Sequence, residues 1–520
     1  MPEEAVKQHR RWRMQPKGLQ VEPEVMDDAP REREFLIKHL HRLHGCFEHL
    51  FARHMAVEIA RPVSRPANRH TVPAGPAQRA PFVTAAARAE QAPGGGGAPM
   101  DRFAEAVRSV LARAVVAGER WRTGVAYNPL SADMVQNPYP VYAALRARGA
   151  IHRSRLMNAW LFARHADADT ILRDHRNFAN DPRLGTLTRR QQAMLPPADE
   201  FSMLFLDPPD HKRLRALVNK AFTSRAVNAL EHRIRAITAA LLDDIDDPGG
   251  FDLMTAIAQP LPIIVIAEML GVPAKDRDRF KLWSVQRARL LEPTASLRER
   301  AIAQEASREF DAYFRAIIAM RRNAPRDDIL SALVHAEDGG ERLNEREMLN
   351  ILRLLLIAGN ETTTNLIGNG MQALLANPDQ LVRLRDDPGL MPAAVEELLR
   401  FDSPVQTTFR RVRADCAVNG FEVRARDNIA VLIGAANRDP DVFEEPDRLD
   451  VGRTGSVHLS LGRGIHYCLG APLARLEGRI AFQMLLERFA RIELLGSRPK
   501  YRNGIVLRGL RSLPLRCVRA

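Results

Sequence analysis

The stretch Leu461-Gly462-Arg463-Gly464-Ile465-His466-Tyr467-Cys468-Leu469-Gly470 constrains this chain more than any other. Its glycines bracket one cysteine, and an apolar, helix-forming run from Ala471 to Phe482 follows at once. Glycine lets a backbone take positive φ and pass close to a large flat partner. A cysteine at the mouth of a helix sits near the positive end of the helix dipole, which favours its thiolate. A thiolate held this way is a good axial ligand for iron. Taken alone, Cys468 reads as an ordinary buried cysteine packing as a small hydrophobe. The full spacing Gly-x-Gly-x-His-x-Cys-x-Gly is what changes that reading.

Composition excludes several classes. The 520 residues are 45% hydrophobic and 27% charged, as in an ordinary globular protein. The net charge of +13 suggests a nucleic-acid or acidic protein partner, but the basic residues are spread along the chain without a nucleic-acid-binding motif. Nucleic acid is therefore not expected as a partner. The four cysteines, Cys46, Cys416, Cys468 and Cys517, have neither disulfide-framework nor metal-finger spacing, which fits a reducing, cytoplasmic location. There is no run of about 18 apolar residues and no signal-peptide pattern, so no membrane anchor is expected.

Residues 1–99 differ from the rest. They are rich in Arg, Pro, Ala and His, with one plausible helix over Glu34 to Ile59. Four consecutive glycines, Gly94 to Gly97, read as a flexible linker before Met100 and an amphipathic helix, Asp101 to Ala117. The expectation is an N-terminal extension, 1–99, that is disordered or reflects a start assigned too far upstream, and one domain over 100–520. Further on, Ala159 to Ala163 reads as a strand and Ala166 to Arg173 as a helix. Helical patterns fill Asn228 to Ile245, Pro260 to Leu270, Asp276 to Leu291, Leu297 to Arg321 and Ile329 to Ala336, with a hinge-like Leu291-Glu292-Pro293-Thr294 between two of them. Glu345 to Asn377 reads as one long buried helix that carries Ala358-Gly359-Asn360-Glu361-Thr362-Thr363-Thr364. Glycine and threonines are poor helix formers, and threonine can bond back to the i−4 carbonyl, so a bend is expected there. Glu397-Leu398-Leu399-Arg400 gives a Glu-x-x-Arg helix motif, which is weak alone. His211 and Arg215 are four apart and share a helix face.

Together these features resemble the cytochrome P450 family, from about Tyr127 to the C-terminus. The cysteine loop matches the family's Phe-Gly-x-Gly-x-His-x-Cys-x-Gly at every fixed position except the first, where Leu461 stands for Phe. Ala358 to Thr362 matches Ala-Gly-x-Asp/Glu-Thr, and Pro446-Asp447-Arg448-Leu449 is similar to Pro-Glu-Arg-Phe. The resemblance implies a mainly α fold with small β-sheets, an α+β arrangement that places haem b between the long helix and the cysteine loop.

It also implies residue roles. Cys468 would be the axial ligand of the haem iron, with Gly462, Gly464 and Gly470 shaping the loop. His211, Arg215, Arg410 and His466 would face the haem propionates, and Gly359 would let the long helix pass close over the haem. Glu361 and Thr362 would deliver protons during O2 activation. Glu397, Arg400 and Arg448 would form a buried ion cluster, and Ala358, Val405, Thr407 and Val506 would line the substrate pocket. The implied activity is a monooxygenase acting on a small hydrophobic substrate. Its electrons would come from NAD(P)H through a reductase and a separate ferredoxin or flavodoxin, with Arg453, Arg463, Arg475 and Arg479 as a basic docking surface. A monomer is expected. The alternative is a haem-thiolate ligand-binding or sensor protein without turnover, which would need the Cys468 loop but not Glu361 and Thr362.

Overall fold

The computed structural model describes residues 112–187, 192, 195 and 200–520. The chain divides into two units, Met1–Gly95 and Gly96–Ala520, and every described residue lies in the second. The proposed helix at Glu34 to Ile59 lies outside the described residues, as does the first part of the helix expected from Asp101. Residues 112–123 are helical.

The main sheet has five strands: β1 (Ile151–Ser154), β2 (Ala159–Phe162), β3 (Phe178–Ala179), β4 (Thr407–Val412) and β5 (Asn428–Leu432). Their order is β1-β2-β5-β4-β3, with β2 and β5 parallel and the other pairs antiparallel. A three-stranded sheet joins Phe251–Asp252, Phe489–Leu494 and Pro514–Arg519.

The helices that position the site are α1 (Asp210–Ala221), α2 (Pro260–Met269), α3 (Arg277–Ala288), α4 (Leu297–Asn323), α5 (Glu345–Ala376), α6 (Met391–Phe401) and α7 (Ala471–Arg488). α5 starts at a reciprocal cap: the Asn344 side chain accepts from the Glu347 amide, and Glu347 accepts from the Asn344 amide. α5 is continuous through Gly359 and the threonine run. Burial of most of its surface outweighs poor local propensity, because tertiary packing supplies most helical stability. The helix read over Asn228 to Ile245 is two helices, Ser224–Ala229 and Glu231–Asp243, meeting at Leu230.

α6 and α7 pack on α5 around two buried charged groupings. Glu397 and Arg400 are both fully buried and paired through two hydrogen bonds of 2.7 and 2.8 Å. Arg448 is not their third side chain. It is mostly exposed and pairs with Glu445 at 2.7 Å, offering the cluster only its backbone carbonyl, 3.3 Å from Arg400. The third side chain is Arg453, 3.2 Å from Glu397 and largely buried. The turn after Asp450 brings Arg453 in, where it adds a second guanidinium beside the Glu397 carboxylate. Arg453→Ala is expected to lower stability by roughly 1.5–3 kcal/mol, the scale of a charge-assisted hydrogen bond. Arg448→Ala should cost much less, as for an exposed pair. Denaturant midpoints of the two variants measure the difference, and the reverse order would restore Arg448 to the cluster.

Glu477 on α7 is 1% exposed, and one of its carboxyl oxygens has no hydrogen-bond partner. Burial pushes its pKa up to about 8, against a smaller downward pull from the Thr363 hydroxyl on α5. The folded state therefore binds a proton that the unfolded state releases above about pH 4.5, and stability falls as pH rises from there until about pH 8. Glu477→Gln removes that term. The variant's unfolding free energy should gain on the wild type between pH 5 and pH 9, and a difference that does not change with pH would contradict the assignment.

Candidate functional site

The cysteine loop closes on itself before α7 begins. The Gly462 amide donates to the Leu459 carbonyl at 2.8 Å, Tyr467 to Gly464 at 3.1 Å, and Cys468 to Leu461 at 2.8 Å. Gly462 and Gly464 have φ of +73° and +64°, a region other residues rarely adopt. At Gly464 any side chain would also strike the Leu172 carbonyl, 2.6 Å from its Cβ. Gly470 lies in a turn with negative φ, and a Cβ there would meet nothing within 4 Å, so neither backbone nor space requires glycine at this position. Leu461 packs into the main core, and Cys468 lies only partly covered against that same core.

The expected ease of ionising Cys468 is not what the fold alone provides. Burial pushes its thiol pKa up. The amides of Gly470 and Ala471 and the guanidinium groups of Arg215 and Arg475 pull it back only in part. The helix-mouth effect is present but smaller than desolvation. The thiolate is thus favoured only when a cation takes the proton's place.

Beside the loop the structure gathers four cationic or basic groups from three segments, α1, β4 and the loop itself. His211, 2% exposed, comes from α1, and its ring lies 4.1 Å from that of His466. Arg410, 6% exposed, comes from β4, and Arg215 from α1. Arg410 rather than Arg411 is the arginine that acts on His466. Burial and the neighbouring His211, Arg410 and Arg215 drive the His466 pKa down to about 2; burial and Arg215 drive that of His211 to about 4. Burial also lowers Arg410 to about 10. His466 has an unpartnered buried Nε2. Arg410 spends one nitrogen on the Phe409 carbonyl at 2.8 Å and on Thr408, and Arg215 donates to the Tyr467 carbonyl at 2.8 Å. Sequence reasoning missed His175, which adds to the same electrostatic field at both histidines. Two arginines and two histidines with depressed pKa values thus crowd beside a half-covered thiol, and Asp207 offsets them only in part, at His211 and Arg410. A flat group with one thiophilic metal and two carboxylates satisfies every one of these demands, so the residues present fit haem.

On α5, Ala358 is exposed and Thr362 half-buried within a helix that is otherwise mostly covered. The two residues are four apart and share a face, and the Thr362 hydroxyl donates to the Ala358 carbonyl at 2.8 Å. Gly359 does not face that side. A Cβ there would lie 3.1 Å from Ile266 of α2, so the close approach this glycine permits is between helices. Glu361 is 9% exposed and pairs with Arg502 at 3.5 Å, a partner with no cue in sequence spacing. Val405 and Val506 are half-buried. Val405 is bridged to Leu507, and the Gln406 amide donates to the Val506 carbonyl at 2.8 Å. Thr407 departs from the expectation: it is 1% exposed, with its hydroxyl beside that of Tyr127, and lines no open space. Thr407 pairs with Leu432 of β5 and is covered although Phe409 and Arg411 on the same face of β4 are only half-buried.

The basic docking surface is also corrected. Arg453, Arg463, Arg475 and Arg479 each have a carboxylate within the chain, at 3.2 Å (Glu397), 3.3 Å (Asp169), 2.6 Å (Glu396) and 3.0 Å (Glu231). Arg475 further donates to the Tyr467 hydroxyl at 3.1 Å, so it braces the cysteine loop from α7. Among the described residues no helix is long and apolar enough to cross a membrane.

Comparisons with known proteins agree with this geometry. The family profile of cytochrome P450 matches residues 149–508. The polyketide biosynthesis cytochrome P450 PksS of Bacillus subtilis is 40% identical over 75% of this chain and 98% of its own length. The cytochrome P450 monooxygenase PikC of Streptomyces venezuelae is 42% identical over 74% of this chain and 92% of its own. The solved structure of PksS superposes with a TM-score of 0.69 at 39% identity, covering 76% of this chain and all of that one. The chain belongs to the cytochrome P450 family, and is a haem- and O2-dependent monooxygenase.

Proposed function

We propose that Cys468 would hold the haem iron through its thiolate, that His211, Arg215, Arg410 and His466 would receive the two propionates, and that Glu361 and Thr362 would handle protons at the open face of α5. The observation that carries this reading is the buried His211–His466–Arg410–Arg215 grouping, which is electrostatically unfavourable until anions arrive. Two carboxylates there would raise the depressed histidine pKa values and let both rings donate hydrogen bonds. Haem b, when bound, supplies oxygen activation and oxygen transfer to a C–H bond.

The chain's own residues do the rest. The Gly470 and Ala471 amides and Arg215 stabilise negative charge at the Cys468 sulfur. The Thr362 hydroxyl donates to the Ala358 carbonyl, which leaves its oxygen free to accept a hydrogen bond from water on the open face. The Glu361 carboxylate, oriented by Arg502, takes up protons and passes them towards Thr362. Arg502 is 28% exposed, so this pair reaches from the helix towards solvent.

The substrate is proposed to be a hydrophobic molecule of polyketide, steroid or acyl type. Relatives and neighbours named for polyketide biosynthesis and for vitamin D(3) 25-hydroxylation, and solved with testosterone or with a fatty-acyl carrier protein, support that class. Electrons are proposed to come from NAD(P)H through a reductase and a ferredoxin or flavodoxin, in a cytoplasmic, monomeric enzyme. The extension 1–99 is proposed to be dispensable for the 100–520 domain.

The reduced carbonyl complex should show the red-shifted Soret band of a thiolate ligand, and Cys468→Ser should lose it. A Cys468→Ser protein that keeps the band would remove Cys468 as ligand. Thr362→Ala should keep haem content, because alanine is the better helix former, yet divert electrons to hydrogen peroxide. Peroxide released per NAD(P)H consumed, with a hydrophobic substrate bound, should rise as the proton-transfer contribution is lost. Unchanged coupling would take Thr362 out of the mechanism.

A further inference from the structure

The stretch between α3 and α4 holds a carboxylate that the reaction does not use. A short 3-10 turn, Arg289–Leu291, ends α3, and Glu292 follows in extended conformation. Four residues later Ser296 caps α4. Glu292 belongs to a surface connection, yet it is 8% exposed. Its side chain turns inward and accepts from three consecutive backbone amides of the pocket-lining segment near the C-terminus. Ile505 donates to Oε2 at 2.7 Å and Leu507 to Oε1 at 2.8 Å. Val506 lies between, 3.2 and 3.3 Å from the two oxygens.

Two further observations show that the segment is shaped around this carboxylate. A Cβ on Gly504 would lie 2.8 Å from Glu292 Oε1 and 2.5 Å from the Leu507 carbonyl, so only glycine leaves room. The far side of the same segment is already committed: Val506 accepts from the Gln406 amide, and Leu507 is bridged to Val405. Arg502, two residues before Gly504, holds Glu361 of α5. A single acid on the α3–α4 connection thus fixes the loop that carries Val506 and leads from the Arg502–Glu361 pair.

We propose that Glu292 is a positioning residue that latches the α3–α4 connection onto residues 505–507, and so sets both the pocket wall at Val506 and the rate at which bulky molecules enter and leave. Any outward movement of the connection must give up a carboxylate bound by three amides. Charge-assisted bonds of this kind are the strong ones, and the vacated amides would need water in their place. The latch therefore opposes opening, and its loss lowers the barrier to passage past the connection. A molecule small enough to pass without that movement is indifferent to it.

The inference rests on the proposed haem site only where iron is used as the reporter. In the holoenzyme, stopped-flow Soret shifts would follow imidazole, a small iron ligand, and a triphenylmethyl-imidazole, a bulky one. Glu292→Ala and Gly504→Ala, the second of which expels the carboxylate without removing it, should each speed entry and exit of the bulky azole by about tenfold, the factor that one net hydrogen bond to a charged group represents. Glu292→Gln, which keeps one acceptor oxygen, should show a smaller change. Imidazole rates should stay within about twofold in all three, because its passage needs no such opening. Amide hydrogen exchange at Ile505, Val506 and Leu507 should quicken in Glu292→Gln, and this readout needs no haem. Bulky-azole rates equal to wild type, or an equal rise for both azoles, would overturn the latch, as would unchanged exchange at the three amides. Absence of any Soret shift with exchange changed as expected would count against the haem reading and leave the latch standing.

Discussion

Buried basic groups that a single neighbouring carboxylate, Asp207, offsets only in part are the constraint on which the site depends. His211, Arg215, Arg410 and His466 come from α1, β4 and the cysteine loop; burial pushes each towards its neutral or less basic form, and neighbouring arginines add to this at the two histidines and at Arg410. A protein does not hold such an arrangement at equilibrium merely to pack. Removing charge from water is costly, and on the proposed function a dianion beside Cys468 would relieve that cost. The elements around it follow from that need. The loop is closed by its own amides, Arg215 and Arg475 brace Tyr467 from either side, and the buried Glu397–Arg400–Arg453 grouping anchors α6 to the turns that precede the loop.

The opposite wall obeys a different constraint. α5 is long and buried, so its polar residues must find partners within the protein. Thr362 bonds to its own helix, Glu361 finds Arg502, Thr364 finds Asn360, and Thr363 faces Glu477. Three adjacent threonines therefore have three different tasks, and only Thr362 shares the open face with Ala358. The loop after Tyr501 ties this helix to the rest of the pocket, and Glu292 ties that loop to the α3–α4 connection.

What was legible in the sequence was local. The cysteine loop, the capped long helix and the Glu-x-x-Arg pair are fixed by residues close together in the chain, and α5 and α6 fall where their letters place them. Partners that only the fold brings near were not legible. Arg453 rather than Arg448 reaches Glu397, because the turn after Asp450 sets which arginine points inward. Gly359 serves Ile266, since the direction of a missing Cβ depends on which helix crosses there. Thr407 is covered although Phe409 and Arg411 on the same face of β4 are only half-buried, so its burial does not follow from strand parity. The four arginines read as a docking patch are each paired with an acid far away in sequence. Glu292 is the sharpest case: its letter sits in an unremarkable Leu-Glu-Pro-Thr hinge, and its three amide partners are more than two hundred residues away.

The central claim is that the buried cations bind the two carboxylates of the cofactor, and chemical removal of those charges tests it most directly. Haem and its dimethyl ester carry the same iron and the same ring and differ in the propionates alone. Titrated into haem-stripped protein, the ester should bind at least about tenfold more weakly than haem, on the scale of a single lost charge-assisted hydrogen bond. The penalty should shrink in Arg410→Leu. Equal affinity for haem and the ester in the wild-type protein would contradict the account.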